Sequence, residues 1–479
     1  MRTRLTIVLA FLLTGFQYTY AQNVWTLQRS VQYALEHNIS IQQNVLNERL
    51  AKLALTQSRL SQLPNLNVSS NYGRSFGRSV DPTTNQFVTG SSYDFLGANG
   101  NADVLLFGWF QRRNNIARNR FALDASSAEL DQLKDDVSLN VATGYLRALL
   151  AREQVRISEK QVELSKAQFE QTKRFAAAGR VPELNVAQLE SQLASDSANL
   201  ITAISDYTAA ILDFKALLNL DFATPYELEV PEVSISEQIS LAGTTPEEIY
   251  ASASRHLGAI KSRQLRLSAA EKNLAAAKGA LWPTLSLGAQ AGTNFSTTVK
   301  DFDVTGFSVA PVQGSYATDA TGTQYQIYQT TPTFTTTTTR LMTQFDNNFR
   351  QTVALTLNLP VFNAWQAQYS VRQAKINVFS EELNKYQAEL KLKQDVYKAY
   401  NDATNSIQKY NAADRAVNAA QRAYDFAQKR YDIGLTNTVE YLTAQNNLYV
   451  AESRLASAKY DLIFKLKVID YYQGKEIKL

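Results

Sequence analysis

The chain has 479 residues, enough for a large hydrophobic core, and it contains no cysteine and only two histidines. These counts exclude a disulfide, a thiolate metal site and a lipid anchor on cysteine, and they disfavour most transition-metal sites. The formal net charge of +4 is small for this length, so we expect no nucleic-acid surface. The composition therefore predicts a protein without a metal or cofactor.

Residues 1–21 have the pattern of a signal peptide. Arg2 and Arg4 form a basic start, residues 5–16 are a short apolar stretch, and Ala21 offers a small residue for cleavage. The apolar stretch is shorter than the roughly 20 residues that a membrane-spanning helix needs, and no later stretch is long and apolar enough. We expect an exported chain that starts at Gln22, in which any membrane segment is β-structure.

A helix is predicted over residues 26–62, and Pro64 ends it because proline cannot continue the backbone hydrogen-bond ladder. Beyond Pro64 apolar and polar residues alternate, which predicts a strand hairpin at 65–111. Strands of about 10 residues with one apolar face are typical of a membrane barrel, although a soluble sandwich gives the same pattern. Residues 74–100, rich in Gly, Ser, Asn and Asp, are predicted to be an exposed, mobile loop.

A helical hairpin is predicted at 112–220, with a long helix that ends near Gly179 and a helix that returns. Apolar residues recur every seven positions in the returning helix, which predicts an antiparallel coiled coil. They are Val186, Leu193, Leu200, Tyr207 and Phe214. Residues 22–220 thus form a first structural repeat, and residues 221–244, with two prolines, form a linker.

A second structural repeat is predicted at 245–470, in the same order. Its helix has a capping box at Thr245 and ends before Pro283. A strand hairpin follows at 284–362, in which residues 296–348 are predicted to be an exposed loop, and a helical hairpin follows at 366–470. Residues 471–479 form a C-terminal tail.

The two halves are copies of one unit. His37 and Pro64 return as His256 and Pro283, 219 residues later, whereas Gly179 returns as Gly434, 255 residues later. The change from 219 to 255 corresponds to an insertion of 36 residues between these blocks. A duplicated unit of long helices and short strands excludes most enzyme folds. No catalytic motif is visible, so we predict that the chain is not an enzyme and that both histidines are structural.

Four strands cannot close a barrel, and open sheet edges are not tolerated in lipid, so strands from several chains must combine. Two chains give 8 strands and three give 12. An 8-strand barrel is filled by its own side chains, whereas a wider barrel can hold a channel. The polar face, made of Ser, Thr, Gly, Asn and Gln, suits a water-filled interior and favours three chains.

The mature chain resembles the TolC-like outer-membrane efflux protein family over essentially its whole length. The resemblance is carried by short motifs in duplicate at matched spacing. They are Arg174-Phe175 with Gly179, Arg430-Tyr431-x-x-Gly434-Leu435, Ala444-Gln445-x-x-Leu448, Leu106-Phe107-Gly108 and Leu359-Pro360-Val361-Phe362-Asn363.

This resemblance implies an α+β membrane protein in the bacterial outer membrane. Its fold would be a trimeric 12-strand β-barrel, four strands per chain, continuous with a long periplasmic α-helical barrel of antiparallel coiled-coil hairpins. The homotrimer would lie in outer-membrane lipid and act as the passive channel of a tripartite efflux or type I secretion system. A periplasmic adaptor (membrane fusion) protein would join it to an inner-membrane pump. A secreted or periplasmic coiled-coil scaffold without channel activity is the alternative.

The resemblance also assigns two sets of residues. The hairpin tips Gly179 with Arg180, and Gly434 with Leu435, would dock the adaptor, although each glycine is equally explained as a helix end. The periplasmic gate would involve Tyr431, Thr436, Glu440 and Asn185. Thr436 stands where the family has an arginine, so the resting gate is expected to differ, and three copies of Glu440 would favour cations.

Overall fold

The computed structural model describes residues 24–80, 85, 87–88, 92–230 and 244–475. The predicted signal peptide lies outside the described residues, as do residues 231–243 of the predicted linker and 476–479 of the predicted tail. The chain forms two compact units, which comprise residues 1–54, 118–271 and 376–479 in one and 55–117 and 272–375 in the other.

Most helices and strands recur in the same order in both halves, but among the described residues the short helix Leu341–Asn347 of the second half has no counterpart in the first. The helices are α1 (Leu27–His37), α2 (Ile39–Leu60), α3 (Gln111–Ala177), α4 (Glu183–Leu218), α5 (Pro246–His256), α6 (Gly258–Gly279), α7 (Leu341–Asn347), α8 (Gln366–Asp432) and α9 (Thr438–Gln473). The strands are β1 (Val24–Trp25), β2 (Asn65–Ser75), β3 (Ser79–Val80), β4 (Phe87–Val88), β5 (Tyr93–Phe107), β6 (Glu227–Leu228), β7 (Thr284–Ser296), β8 (Lys300–Thr318), β9 (Gln324–Thr338) and β10 (Arg350–Asn358).

The helix predicted at 26–62 is broken at one residue. Asn38 adopts an extended conformation, and its Oδ1 accepts hydrogen bonds from Ser40 N at 2.9 Å and Ile41 N at 3.3 Å, which caps α2. Leu257, 219 residues later, makes the same extended break between α5 and α6. The duplication therefore preserves a local break that the apolar pattern did not reveal.

Both histidines close a helix end, in agreement with a structural role. His37 Nδ1 lies 3.0 Å from Tyr33 O, and the two rings stack at a centroid distance of 4.0 Å. His256 Nδ1 lies 2.7 Å from Ser252 O, one turn earlier in α5.

The helical unit has its largest core between α1, α3 and the end of α4. Tyr145, Leu149, Phe214 and Leu218 are fully buried there. The Tyr145 hydroxyl lies 3.0 Å from Trp25 O and 2.8 Å from Glu229 O and shares its one proton between these two acceptors, which fixes the short parallel pair of β1 and β6 against α3. Burial raises the pKa of this tyrosine well above its usual value.

The other unit contains an antiparallel sheet with strand order β10-β7-β5-β2. Its register places most of the apolar residues of all four strands on one face. That face carries Leu66, Val68, Tyr72, Leu96, Val104, Leu285, Leu287, Phe295, Val353, Leu355 and Leu357. The opposite face carries Asn65, Asn67, Ser69, Asn71, Asn99, Asn101, Asp103, Ser286, Gln290, Asn294, Thr352 and Thr356. The alternation predicted from the sequence thus separates two faces, with a few exceptions: Phe95 and Leu105 lie on the polar face, and Ser70, Thr293 and Gln351 lie on the apolar face.

Each strand pair leads into its long helix through the same unusual elbow. Trp109 and Phe110 have φ values of +47° and +60°, and Ala364 and Trp365, 255 residues later, have +50° and +66°. Residues other than glycine rarely adopt this left-handed backbone conformation, so two such residues in succession are strained. Their recurrence indicates that the strand-to-helix elbow is an inherited part of the repeat.

Two predicted loops contain regular structure instead. β5 begins at Tyr93, within the segment 74–100, because Gly97, Asn99 and Gly100 are paired on both sides by β2 and β7. Neighbouring strands thus override the turn-prone composition. Segment 296–348 forms a long hairpin of β8 and β9 followed by α7, so the prediction of a loop there was wrong.

No helix among the described residues combines the length and the apolar composition needed to cross a membrane.

Candidate functional site

The two helical hairpins end in matching turns. Gly179 N donates to Ala176 O at 2.8 Å and Arg180 N to Phe175 O at 2.9 Å, which is a Schellman motif at the end of α3. Gly434 N and Leu435 N make the same bonds at the end of α8, at 3.0 and 2.8 Å. Both glycines have positive φ, +73° and +78°. The backbone conformation therefore favours glycine at each tip, independently of any partner.

The tips also leave room around each glycine. A Cβ placed on Gly179 or Gly434 would meet no atom of the chain within 4 Å. Apolar side chains stand exposed beside the turns, with Leu184 at the first tip and Ile433, Leu435 and Val439 at the second. The Arg180 guanidinium lies 5.1 Å from the centre of the Phe175 ring. Each tip thus combines a fixed backbone with exposed apolar groups.

The second tip is closed by an ion pair that the sequence analysis did not predict. Arg430 Nη1 lies 3.2 Å from Glu440 Oε1, and Arg430 Nη2 donates to Leu435 O at 3.3 Å. Thr436 Oγ1 donates to the other oxygen of Glu440. Asn437 Oδ1 caps α9 by accepting from Glu440 N at 2.8 Å. Three of the gate and tip candidates, Leu435, Thr436 and Glu440, therefore belong to one hydrogen-bonded turn.

Tyr431 connects the second hairpin to the first. Its hydroxyl lies 3.3 Å from Thr172 Oγ1 on α3 and 3.5 Å from Thr438 Oγ1 on α9. Its ring stacks on Tyr441 at a centroid distance of 4.9 Å. Thr172 and Thr438 are each about 1% exposed, so these bonds lie in a largely dry contact.

A buried pair of tyrosines, Tyr424 and Tyr441, packs beside this contact. The hydroxyls of Tyr441 and Tyr424 lie 3.2 Å apart, and Tyr441 is fully buried. Burial is the main reason why the pKa of Tyr441 is raised far above its usual value. The pair therefore stays neutral and acts as a fixed support for the Tyr431 ring.

Farther along the hairpins, a buried carboxylate joins α3 to α4 and, through Ser165, to α9. Asp196 is 3% exposed and accepts hydrogen bonds from Ser165 Oγ at 2.5 Å, Gln161 Nε2 at 3.2 Å and Gln192 Nε2 at 3.0 Å. Ser165 Oγ in turn accepts from Gln445 Nε2 of α9 at 3.1 Å. Buried charges are tolerated only when donors compensate them, and three donors do so here.

The structure brings Tyr431, Leu435, Thr436 and Glu440 together around Gly434, whereas Gly179, Arg180 and Asn185 lie at the other tip. Asn185 is half-buried in the first turn of α4, where its backbone N donates to Pro182 O at 3.0 Å.

Sequence reasoning missed Arg430, Thr172 and Asp196 as functional candidates. Arg430 lies in the motif Arg430-Tyr431-x-x-Gly434-Leu435, and its position four residues before the tip glycine could have identified it.

No group of three or more His, Asp or Glu side chains in the described parts of the chain is arranged to hold a metal ion.

Comparison with known proteins gives a consistent set of matches. The sequence model of the outer membrane efflux protein family matches residues 30–220 and 251–466. The pyoverdine export outer membrane protein OpmQ of Pseudomonas putida is 26% identical over 236 residues, which cover 47% of each protein. The matched region thus spans about half the length of that relative.

Solved structures of low sequence identity share the fold. The chain superposes on CusC with a TM-score of 0.74 at 16% identity, covering 94% of this chain and 92% of CusC. The outer membrane protein VceC of Vibrio cholerae gives 0.71 at 15%, covering 94% and 96%. The open state of the Neisseria gonorrhoeae outer membrane channel MtrE gives 0.71 at 18%, covering 94% and 89%.

Proposed function

Since the chain belongs to the outer membrane efflux protein family, we propose that it is the passive outer-membrane channel of a tripartite efflux or type I secretion system. It lies in the bacterial outer membrane, and its helical hairpins extend into the periplasm. The channel itself performs no catalysis, and the energy for export comes from its partners.

The observation that carries this proposal is the two-faced sheet with two open edges. One face is mainly apolar on all four strands, and Leu66, Val68, Val353 and Leu357 on its outer strands are 70–80% exposed. The other face is lined with amides and hydroxyls. An apolar band suits lipid and a polar face suits water, which is the division found in a membrane barrel.

The open edges support a homotrimer. Among the described residues, β2 and β10 each pair with one neighbour only, so each leaves a row of backbone groups without a partner. Such groups cost several kcal/mol each in hydrocarbon. Pairing of β10 with β2 of the next copy removes both edges, and three copies give 12 strands, wide enough for a water-filled interior.

The gate is proposed at the second hairpin, where Tyr431, Thr436 and Glu440 meet. The Tyr431 hydroxyl holds this hairpin against α3 through Thr172, so separation of the hairpins must break that bond. Arg430, which belongs to the motif that the chain shares with the family, binds Glu440 across the turn. Asn185 is proposed as the corresponding gate residue of the first hairpin.

The tips are proposed to dock a periplasmic adaptor, which joins the channel to an inner-membrane pump. Support comes from the rigid Schellman turns at Gly179 and Gly434, the open space around both glycines, and the exposed Leu435 at the second tip. Arg180 occupies the equivalent position at the first tip. A partner's backbone can approach a glycine more closely than any other residue. The apolar side chains then supply the buried area.

The proposal is tested by recordings from planar lipid bilayers with the detergent-purified protein. A channel gives discrete conductance steps that scale with salt concentration. A matched sample with Val68→Lys, Val353→Lys and Leu355→Lys places charges on the lipid face, each of which costs about 2–4 kcal/mol in a barrel if it lies near the bilayer midplane. That sample should insert poorly, and equal activity of both samples would contradict a membrane barrel.

A further inference from the structure

The insertion in the second half forms a structure of its own, a two-stranded ribbon of β8 and β9. The strands have 19 and 15 residues and pair from Lys300 with Thr338 to Thr318 with Gln324. A two-stranded hairpin is marginally stable in water unless it packs against something. The ribbon is therefore a candidate interaction surface.

The ribbon is held firmly at its root. Gln344 of α7 is 1% exposed, and its Nε2 donates to Ser296 O and Thr339 O, both at 2.9 Å, while its Oε1 accepts from Ser296 N at 2.9 Å. Thr339 Oγ1 also donates to Asp301 Oδ1 at 2.8 Å. One buried amide thus joins the end of β7 to the residue after β9, and the ribbon leaves the sheet at a fixed place.

The two faces of the ribbon differ sharply. Register pairs Phe302 with Thr336, Val304 with Phe334, Phe307 with Pro332, Val309 with Thr330 and Pro311 with Tyr328, which places all of these on one face. The opposite face pairs Asp301 with Thr337, Asp303 with Thr335 and Ser308 with Thr331. The large apolar side chains of the first face are 51–71% exposed. We call this first face the apolar ribbon face.

The charges of the ribbon and the exposed backbone groups at its edges argue against lipid as the partner of the apolar ribbon face. From Lys300 to Thr338 the ribbon has one lysine and three aspartates. Lys300 Nζ donates to Thr338 Oγ1 at the root, and beyond it the apolar ribbon face has no charged residue. Anionic lipid headgroups attract clusters of cations, which this face lacks. Nor can a two-stranded ribbon enter the hydrocarbon, because both of its edges expose backbone groups.

Resting on the trimer of the proposed function, we propose that the apolar ribbon faces of the three copies pack against one another around the symmetry axis. The position of the ribbon supports this occupant, since α7 alone separates it from β10, the edge strand through which the next copy would join. Three ribbons rooted at one rim can bury the same uncharged face together, which removes the exposed apolar area of each. The resulting bundle narrows the mouth of the channel at the end opposite the elbows.

Cysteine cross-linking tests the proposal without background, because the chain has no cysteine. Val309→Cys lies on the apolar ribbon face, and Ser308→Cys, its neighbour, lies on the polar face as a matched control. After mild oxidation of detergent-purified protein, the Val309→Cys variant should give disulfide-linked dimers containing two of every three chains. The control should cross-link at least about tenfold more slowly, and dilution should change neither rate.

The native mass of both variants before oxidation separates this proposal from the channel itself. Trimers of the Val309→Cys variant that form no linked dimer, or equal cross-linking of the Ser308→Cys control, would overturn the ribbon contact and leave the channel proposal intact. A bimane label on the Val309→Cys variant should already emit at short wavelength in detergent trimers. A blue shift that appears only on addition of lipopolysaccharide vesicles would assign the face to lipid and overturn the proposal. A monomeric mass would instead contradict the trimer.

Discussion

The Tyr431 hydroxyl lies 3.3 Å from Thr172 Oγ1, and this bond joins the tips of the two helical hairpins of one chain. Tyr431 also stacks on the buried Tyr441, which holds its ring in place. The hydrogen bond between Tyr431 and Thr172, here called the latch, is therefore a polar contact beside a stack of aromatic rings.

Tyr431→Phe should loosen this latch. The change removes the bonds to Thr172 and Thr438 and keeps the ring stack, at a cost of roughly 0.5–1.5 kcal/mol per hydrogen bond. In bilayer recordings the variant should spend several-fold more time in its high-conductance state. Thr172→Val removes the bond to Thr172 from the other side, so the double variant should add little to Tyr431→Phe. Wild-type conductance in both single variants would remove Tyr431 from the gate.

Glu440→Gln should shift ion selectivity. The carboxylate and Arg430 now compensate each other at the second tip, and neutralising Glu440 leaves the arginine charge alone. The reversal potential in a salt gradient should move toward anions, and Arg430→Gln should move it toward cations. Since both groups are about half exposed, the shift should shrink at high salt. An unchanged reversal potential in both variants would place them away from the pore.

Gly434→Val should abolish export and leave the oligomer intact. A β-branched residue at a φ of +78° is strained by roughly 1–2 kcal/mol and also fills the open space at the tip. Gly434→Asn is the control, because asparagine tolerates this conformation. Export is measured as accumulation of a fluorescent efflux dye in cells that depend on this channel. Normal export by the valine variant would argue against docking at the tip.

Asp196→Ala should destabilise the helical unit. The variant leaves Ser165, Gln161 and Gln192 without their buried acceptor, and each unsatisfied group costs about 1–3 kcal/mol. We expect a clear fall in the melting temperature in detergent. Asp206→Ala, an exposed position on the same helix, is the control and should melt like the wild type. Equal melting of the two variants would show that the buried network contributes nothing.

The sequence predicted the structure best where the spacing of apolar, proline and glycine residues determines the helices, strands and turns. The helical hairpins predicted at 112–220 and 366–470 begin with long helices, found at Gln111–Ala177 and Gln366–Asp432, and neither helix contains a proline. The alternation in β2, β7 and β10 likewise predicted the two faces of the sheet. Even the matched Schellman turns follow from the duplicated tip glycines.

Prediction from the sequence failed where the structure of a segment depends on residues that are distant along the chain. The start of β5 contains glycine and asparagine and becomes a strand only because β2 and β7 lie on either side. The β8–β9 ribbon depends on one buried glutamine, Gln344, which no local pattern marks. The pairing of Arg430 with Glu440 joins residues ten apart across a turn, so helical spacing alone does not bring them together.

The central claim is that three copies of this chain form one membrane channel. Its most direct test is the native mass of the purified protein, measured with and without detergent. The channel predicts a particle that stays in solution only with detergent and contains three chains. A protein that is soluble without detergent as one or two chains would contradict it, because its four-stranded sheet would then lie outside a membrane.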